Sequence, residues 1–177
     1  MWMETREVDV ITSFNGKTPR IAESAFVHEG AYVIGDVEIG EGSGVFPGAV
    51  VRADFGPITI GSNTMIEDNC VLHSGTPLDI GDDIIVGQGV IVHCRKVGSN
   101  NLIGNNATLL DDAEIGNFCI IGAGSLVRTG MKIPDGSFVV GFPAEIKKQI
   151  SPAQRARLEG GSGSYRALVA QYRAQGL

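Results

Sequence analysis

Residues 101–140 read NLIGNNATLLDDAEIGNFCIIGAGSLVRTGMKIPDGSFVV, and an aliphatic residue recurs in this stretch at every sixth position. The same step of six extends back towards the N-terminus in shorter runs. The aliphatic positions are Ile21, Val27, Val33, Ile39, Val45, Val51, Ile60, Ile66, Leu72, Ile80, Val86, Val92, Val97, Ile103, Leu109, Ile115, Ile121, Val127, Ile133 and Val139. A period of six fits neither an α-helix nor a simple amphipathic strand. It predicts an all-β solenoid of hexapeptide repeats, in which each unit is a short strand plus a turn and successive coils stack.

Short interruptions of the period fall in the middle of the chain. Extra residues lie between positions 51 and 60 and between 72 and 80, and one residue is missing between 92 and 97. Irregular repeats in a solenoid map to its functional face. These positions therefore indicate where a site lies.

The length of the chain, 177 residues, suits one domain with one elongated core. We predict a single domain over residues 1–177, with the solenoid in residues 20–142 and a C-terminal helical segment in residues 151–176. Ser151-Pro152 begins a helix, because serine caps a helix and proline fits its first turn. A helical apolar stripe then predicts a helix packed along the outside of the solenoid. The stripe consists of Tyr165, Leu168, Val169 and Tyr172.

Composition and charge narrow the possible partners. The net charge is -6, only 6% of the residues are aromatic, and there are 25 glycines. Without a basic patch, binding to nucleic acid or to an anionic membrane surface is not expected. Residues 1–10 lack an apolar signal core and no apolar run approaches the length of a membrane span, so we expect a cytoplasmic location.

The cysteines and one histidine have simple structural interpretations. Cys70 and Cys119 occupy the small inward-facing position of their repeats, which predicts core packing. Cys94 follows a histidine just before the deletion, so it is the cysteine expected to react first with thiol reagents. His28 lies on a polar turn and is expected to be solvated surface.

Two further histidines fall in one column of the predicted solenoid. With three faces per coil, residues 51, 72 and 92 share a face, so Arg52, His73 and His93 stack on consecutive coils. Neighbouring strands lie about 4.8 Å apart, and two imidazoles at that separation can bind one metal ion. The alternative is solvated surface. Gln88 lies on the preceding face and points away from its own chain's histidines, but in a trimer it could meet the pair of a neighbour.

Four segments of the chain carry a family resemblance: VVRADFGPI (50–58), IEDNCVLH (66–73), VGQGVIVH (86–93) and VGFPA (140–144). They resemble the gamma-class carbonic anhydrase family, and the resemblance extends from about residue 20 to the C-terminal helix. The tail around Gly163-Ser164-Tyr165 is similar to the branch with phenylacetate-degradation and carnitine-operon proteins. The resemblance implies a left-handed parallel β-helix, a homotrimer and a metal at each subunit interface.

The ligand set implied by this resemblance departs from the family at one position. In the family the metal takes three histidines, two from one subunit and one from the next. His73 and His93 match the first two, whereas Gln88 stands where the family has the third. Either the amide oxygen of Gln88 replaces the imidazole as a weaker ligand, or the site has decayed or changed its task. The expected metal is Zn²⁺, with Fe or Co as alternatives.

Three more residues match or modify family positions. Arg52 and Asp54 match positions implicated in subunit pairing and in orienting substrate. Glu67 stands where the family commonly has glutamine, and it could hold or deprotonate a metal-bound water; an exposed turn carboxylate is the alternative. The family glycine between Arg52 and Asp54 is Ala53 here.

The resemblance implies a metalloenzyme in which a metal-bound hydroxide attacks carbon dioxide and bicarbonate leaves. Three other functions stay open. The first is hydrolysis of an acyl-CoA thioester at the same metal. The second is a hexapeptide acyltransferase that uses a histidine as general base. The third is a catalytically weak or inactive structural homologue. The presence of Gln88 in place of a ligand histidine favours this function.

Overall fold

The computed structural model of the protein describes residues 9–159 and 161–176, so residues 1–8, Gly160 and Leu177 lie outside the described residues. The expectation for the first ten residues falls mostly on that part, and the single-domain assignment stays a prediction. Within the described ranges the chain forms twenty strands and two helices. The strands are β1 (Ile11–Thr12), β2 (Arg20–Ile21), β3 (Phe26–Val27), β4 (Tyr32–Ile39), β5 (Gly44–Val45), β6 (Val50–Ile60), β7 (Met65–Ile66), β8 (Val71–His73), β9 (Leu78–Ile80), β10 (Ile85–Val86), β11 (Ile91–Val92), β12 (Lys96–Val97), β13 (Leu102–Ile103), β14 (Thr108–Leu109), β15 (Glu114–Ile115), β16 (Ile120–Ile121), β17 (Leu126–Val127), β18 (Lys132–Ile133), β19 (Ser137–Gly141) and β20 (Ala144–Gln149). The helices are α1 (Pro152–Glu159) and α2 (Gly163–Gln175).

The strands coil into a left-handed parallel solenoid with three faces, which confirms the predicted fold class. The first face stacks β3, β5, β7, β10, β13, β16 and β19 in this order. The second face contains β8, β11, β14 and β17, and the third contains β9, β12, β15 and β18. The long strands β4 and β6 run through both of the latter faces. Within these three faces the strands pair in parallel with strands of the neighbouring coil, as the six-residue period requires.

The aliphatic ladder forms the core of the coil. Of its members, Ile21 and Val27 are partly buried and the others are buried. Ladder residues face one another on successive coils, for example Leu72, Val92 and Leu109 on the second face. The inner side of each parallel strand is buried by this stack, so it needs a continuous column of apolar side chains. The register of every coil is therefore fixed by the coil below.

The corners of the coil need left-handed backbone, and the sequence supplies residues that tolerate it. Asn63, Asn106 and Asp112 have φ angles of 54°, 57° and 56°, in a region where asparagine and aspartate are enriched. Gly35 has a φ of 88°, and a Cβ there would overlap the backbone oxygen of Ala53. The position opposite Ala53 is thus restricted to glycine by both conformation and space.

A short antiparallel strand completes the first face at its C-terminal end. After β19 the chain turns at Gly141-Phe142-Pro143 and returns as β20, which pairs antiparallel with β19. The predicted solenoid ends at residue 142, but the sequence analysis does not predict the strand that follows. The alternation of buried and exposed side chains along β20 is weak, since Ala144 is buried and the rest of the strand is exposed. Its pairing partner, rather than its own apolar pattern, makes it a strand.

The helices pack against the outside of the solenoid, as the sequence predicts. Ser151 Oγ accepts the Gln154 N–H at 3.2 Å, and Gln154 Oε1 accepts the Ser151 N–H at 2.9 Å, which is a reciprocal cap of α1. Val169 of α2 is buried in a cluster with Phe26 and Phe46. In the described ranges, neither helix has the length and apolar character needed to cross a bilayer.

His28 belongs to this helix contact rather than to open solvent. Its Nδ1 accepts the Gly30 N–H at 2.9 Å, and its ring lies 6.0 Å from that of Tyr172, centroid to centroid. The expectation of a fully solvated histidine is wrong because α2 covers this corner. His28 therefore stabilises the turn and the docked helix.

All three cysteines are buried at 0% exposure. This agrees with the expectation for Cys70 and Cys119 and overturns the one for Cys94. Burial raises the pKa of the Cys94 thiol to about 12 and that of Cys70 to about 11. The one-residue deletion shortens this corner, so the residue after His93 turns inwards.

Truncation of a ladder residue is expected to destabilise the whole coil. Leu109 is fully buried between Val92 and Val127 of the adjacent coils. Leu109→Ala should lower the free energy of unfolding by about 2–5 kcal/mol, measured by chemical denaturation. The exposed Thr129→Ala serves as the control and should change it by less than about 0.5 kcal/mol.

The cysteines provide a second check on the inward register. Because burial raises their pKa values and blocks access, none of the three thiols should react with an aromatic disulfide reagent in the native protein. All three should react after denaturation. Modification of Cys94 in protein that is still folded would contradict its placement in the core.

Candidate metal centre

The structure brings His73 and His93 together on the second face. His73 ends β8 and lies opposite Arg52 of β6, while His93 directly follows β11, which pairs with β8. The centroids of the two imidazole rings are 5.2 Å apart, with 58° between the ring planes. Both side chains are partly buried, with 14% and 31% of their surface exposed. Two rings at this separation can direct one nitrogen each to a common ion.

Each histidine is held by a carboxylate. His73 Nε2 lies 3.0 Å from Asp54 Oδ1, and His93 Nδ1 lies 3.0 Å from Asp111 Oδ1. A carboxylate accepts the N–H of a neutral imidazole, which leaves the other ring nitrogen as an acceptor. Metal-binding histidines in proteins commonly have such a carboxylate partner. The donor set of this pair therefore fits a divalent ion that accepts imidazole ligands.

Asp54 links the histidine pair to an arginine. Its second carboxylate oxygen pairs with the Arg52 guanidinium. Partial burial pushes the pKa of Asp54 upward, but the hydrogen bonds from Arg52 and His73 and the charge of Arg52 outweigh this effect. The pKa of Asp54 therefore lies below its usual range, and the carboxylate stays ionised beside His73.

An exposed aromatic ring borders the pair. Phe55 is 76% exposed, and its ring centroid lies 5.7 Å from that of His73 in an edge-to-face arrangement. It follows directly after Asp54 in β6, so the strand that places the carboxylate also places the ring. One side of the histidine pair is apolar as a result.

Glu67 and Gln88 lie at the preceding corner of the coil, where the first face turns into the second. Gln88 Nε2 donates a hydrogen bond to Glu67 Oε2. Gln88 is exposed, whereas Glu67 retains only 3% of its surface. The structure thus joins these two residues to each other and places them a full face away from His73 and His93 of the same chain.

The C-terminal helix reaches Glu67 as well. Burial raises the pKa of Glu67, a hydrogen-bonding contribution from the Tyr165 hydroxyl opposes the rise, and the nearby Asp68 adds to it. Burial and the Glu67 carboxylate together raise the pKa of Tyr165 to about 12. The interpretation of Glu67 as an exposed turn carboxylate is therefore wrong, because Gln88 and α2 cover it.

A cleft of about 670 Å³ opens between the first face and the two helices. Glu67, Gln88 and Tyr165 line it together with Asn105 and Arg157. The sequence gives no sign of this cleft, since it forms only when the helices dock. The sequence analysis does not identify Asp111 either, which lies one coil beyond His93 and directly follows Leu110, the next residue of the histidine column.

Within residues 9–159 and 161–176, no group of three or more His, Cys, Asp or Glu side chains lies close enough to hold a metal ion in one chain. His73 and His93 supply two nitrogen donors.

The chain is similar to proteins of a known repeat family. The family model described as bacterial transferase hexapeptide (six repeats) matches residues 96–129. A carbonic anhydrase of Geobacillus kaustophilus is 42% identical over 144 residues, which cover 80% of this chain and 79% of that protein. The carnitine operon protein CaiE of Escherichia coli K12 is 33% identical over 141 residues, which cover 78% of this chain and 72% of CaiE.

Similarity extends to a longer plant protein and to a solved structure. Gamma carbonic anhydrase 1, mitochondrial, of Arabidopsis thaliana is 34% identical over 167 residues, or 90% of this chain. The chain spans 61% of the length of that relative. The crystal structure of a hexapeptide transferase family protein from Anaplasma phagocytophilum matches with a TM-score of 0.89 and 30% identity, covering 92% of this chain and 98% of that one.

Because the pKa of Asp54 is depressed, its ionised form should contribute stability above about pH 4, the usual range for the unfolded residue. This contribution is lost as the pH falls through the lower native pKa. Asp54→Asn should therefore flatten the acid limb of a plot of unfolding free energy against pH. Asp112→Asn is the matched control, because asparagine tolerates the left-handed backbone of that exposed corner. Identical acid limbs for wild type and Asp54→Asn would contradict the assignment.

Proposed function

Because the chain belongs to the gamma carbonic anhydrase-like family of hexapeptide-repeat proteins, we propose that it is a metal-dependent enzyme for the reversible hydration of carbon dioxide. One observation carries the proposal. His73 and His93 face each other at 5.2 Å, and each is fixed by its own carboxylate. Surface histidines need no such arrangement, whereas metal ligands do.

The site we propose lies between subunits of a homotrimer. His73 and His93 of one subunit supply two ligands, and Gln88 of the next subunit supplies the third. The fold supports the assignment of Gln88 to a second copy, since Gln88 lies at a different corner from its own chain's histidines. A prism with three corners per coil can bring two unlike corners together only by pairing with another prism.

A divalent ion bound at this site would supply Lewis acidity, which makes a coordinated water acidic enough to react near neutral pH. Zn²⁺ is the expected ion, and Fe²⁺ or Co²⁺ also suit imidazole ligands. The amide oxygen of Gln88 is neutral, so the full charge of the ion is retained. It is also a poorer donor than imidazole, so affinity should be lower than with three histidines.

The other residues of the site orient these ligands and shape the space beside them. Asp54 and Asp111 hold the tautomer and the plane of each imidazole ring. Arg52 fixes Asp54 through a planar ion pair of the kind suited to subunit contacts. Phe55 provides an apolar surface next to His73, against which a small uncharged molecule such as carbon dioxide can lie. From the sequence, Glu67 is expected to act directly on a metal-bound water.

A second candidate function is acyl transfer or thioester hydrolysis. The cleft of about 670 Å³ that reaches Glu67 and Gln88 favours it, because carbon dioxide needs no cleft of that size. The likeness to a hexapeptide transferase family protein fits the same alternative. The cytoplasmic location stays a prediction, and the Arabidopsis relative is named as mitochondrial.

The metal site can be tested by adding and removing a ligand. Gln88→His should tighten Zn²⁺ binding on the order of tenfold or more and raise carbon dioxide hydration, because imidazole is the better donor. His93→Ala should abolish stoichiometric Zn²⁺ binding, measured by metal analysis and chelator competition. His28→Ala is the control, since His28 lies at a corner away from the pair.

Light scattering should give a trimer for wild type and for all three variants, because the aliphatic ladder is untouched. If Gln88→His binds Zn²⁺ no better than wild type while the trimer persists, then Gln88 is not directed at the histidine pair. That result would favour the acyl-transfer or scaffold functions over carbon dioxide hydration.

A further inference from the structure

The side chain of Gln88 is an unusual candidate for a ligand because it is exposed and flexible. Ordering such a side chain costs rotamer entropy. Its terminal amide also presents an oxygen on one side and a nitrogen on the other, and only the oxygen can bind a metal ion. A useful ligand at this position therefore needs a group that fixes both the rotamer and the direction of the amide.

Glu67 has the chemistry to do this. An ionised carboxylate only accepts hydrogen bonds, so the amide nitrogen of Gln88 must face it. The structure has this arrangement, with Gln88 Nε2 donating to Glu67 Oε2. The amide oxygen is then the atom left for contacts outside the chain. Hydrogen bonding to a carboxylate also raises the basicity of a metal ligand.

The position of Glu67 is in turn restricted by its burial and by residues of helix α2. Its side chain is 3% exposed, and Tyr165 of α2 lines the same cleft as the carboxylate. Tyr165 packs edge-to-face on Phe46, with ring centroids 6.2 Å apart, so the phenol is anchored by the helix contact. Among the described residues, no lysine or arginine forms an ion pair with Glu67. The neutral amide of Gln88 donates to this buried carboxylate without competition from such a cation.

We infer that Glu67 and Tyr165 are positioning residues that direct the amide oxygen of Gln88 towards the metal of the neighbouring subunit. The inference rests on the proposed metal site and assigns Glu67 a role through Gln88 rather than on the bound water. It makes the C-terminal helix α2 a structural part of the metal centre. It also explains why Glu67 is buried, which a residue acting directly on a neighbouring subunit's water has no reason to be.

A double-mutant cycle separates the two roles of Glu67. The Zn²⁺ affinity of the trimer is measured by chelator competition for wild type, Glu67→Gln, Gln88→Ala and the double variant. Glu67→Gln should weaken binding roughly tenfold to a hundredfold, in the range for loss of an outer-shell partner. In the Gln88→Ala background the same substitution should have no further effect beyond about twofold.

A spectroscopic readout excludes a general structural effect. In the Co²⁺-substituted trimer, the visible absorption spectrum of Glu67→Gln should shift towards that of Gln88→Ala, because both lose the oriented amide oxygen. Tyr165→Phe should weaken Zn²⁺ binding in the same direction but less. Tyr172→Phe is its matched control, since Tyr172 lies on the same helix against Phe26 and Phe46. Tyr165→Phe also tests the network without altering the buried carboxylate.

The possible results have different meanings. Unchanged Zn²⁺ affinity and an unchanged Co²⁺ spectrum in Glu67→Gln would overturn the inference. So would a loss of affinity of equal size in the Gln88→Ala background, which would show that Glu67 acts on the metal or its water directly. Retention of Zn²⁺ by His93→Ala would instead overturn the proposed metal site, and the inference with it.

Discussion

A column of aliphatic side chains holds each coil in register with the coil below, and every other feature of the molecule depends on this stacking. A one-residue slip would move each ladder residue out of the core. The column also fixes the spacing of whatever lies at the corners, because neighbouring strands are held about 4.8 Å apart. His73 and His93 are brought to a ring separation of 5.2 Å by this spacing and need no special loop.

The same geometry divides the site between corners. His73 and His93 lie where the second face ends, while Glu67 and Gln88 lie where it begins. Side chains at two corners of one prism point in different directions, so in the proposed metal site one chain supplies only part of the ligand set at each corner. The proposed assembly of three chains would bring the two unlike corners together. In that assembly the stability of the coil rests on contacts within the chain, whereas completion of the site rests on contacts between chains.

The sequence predicts those parts of the structure that follow from periodicity. The ladder, the three faces and the column of Arg52, His73 and His93 all come from counting in sixes. Cys94 could not be placed in this way, because a shortened unit does not reveal which residue turns inwards. Asp111 was within reach, since one more step along the histidine column ends beside it.

Contacts between distant segments could not be predicted. Glu67 is buried in the same cleft as Tyr165, which a helix far along the chain brings back to the first face. The cleft beside them has the same origin. Strand β20 also forms through its partner, as its own alternation is weak. Local pattern and composition carry no information on such docking. The stacking of adjacent repeats, in contrast, follows directly from the six-residue spacing of the aliphatic residues.

The antiparallel return of β20 has a consequence for how the protein behaves in a crowded solution. A parallel solenoid that simply stopped would present an open strand edge, onto which another molecule could add and extend a fibre. On the first face β20 occupies that edge, and its outward side chains include Glu145, Lys147 and Lys148, all exposed. Charges on a terminal strand oppose further strand addition. This hairpin therefore limits growth along the solenoid axis, while the flanks with the histidine and glutamine corners stay open for lateral association.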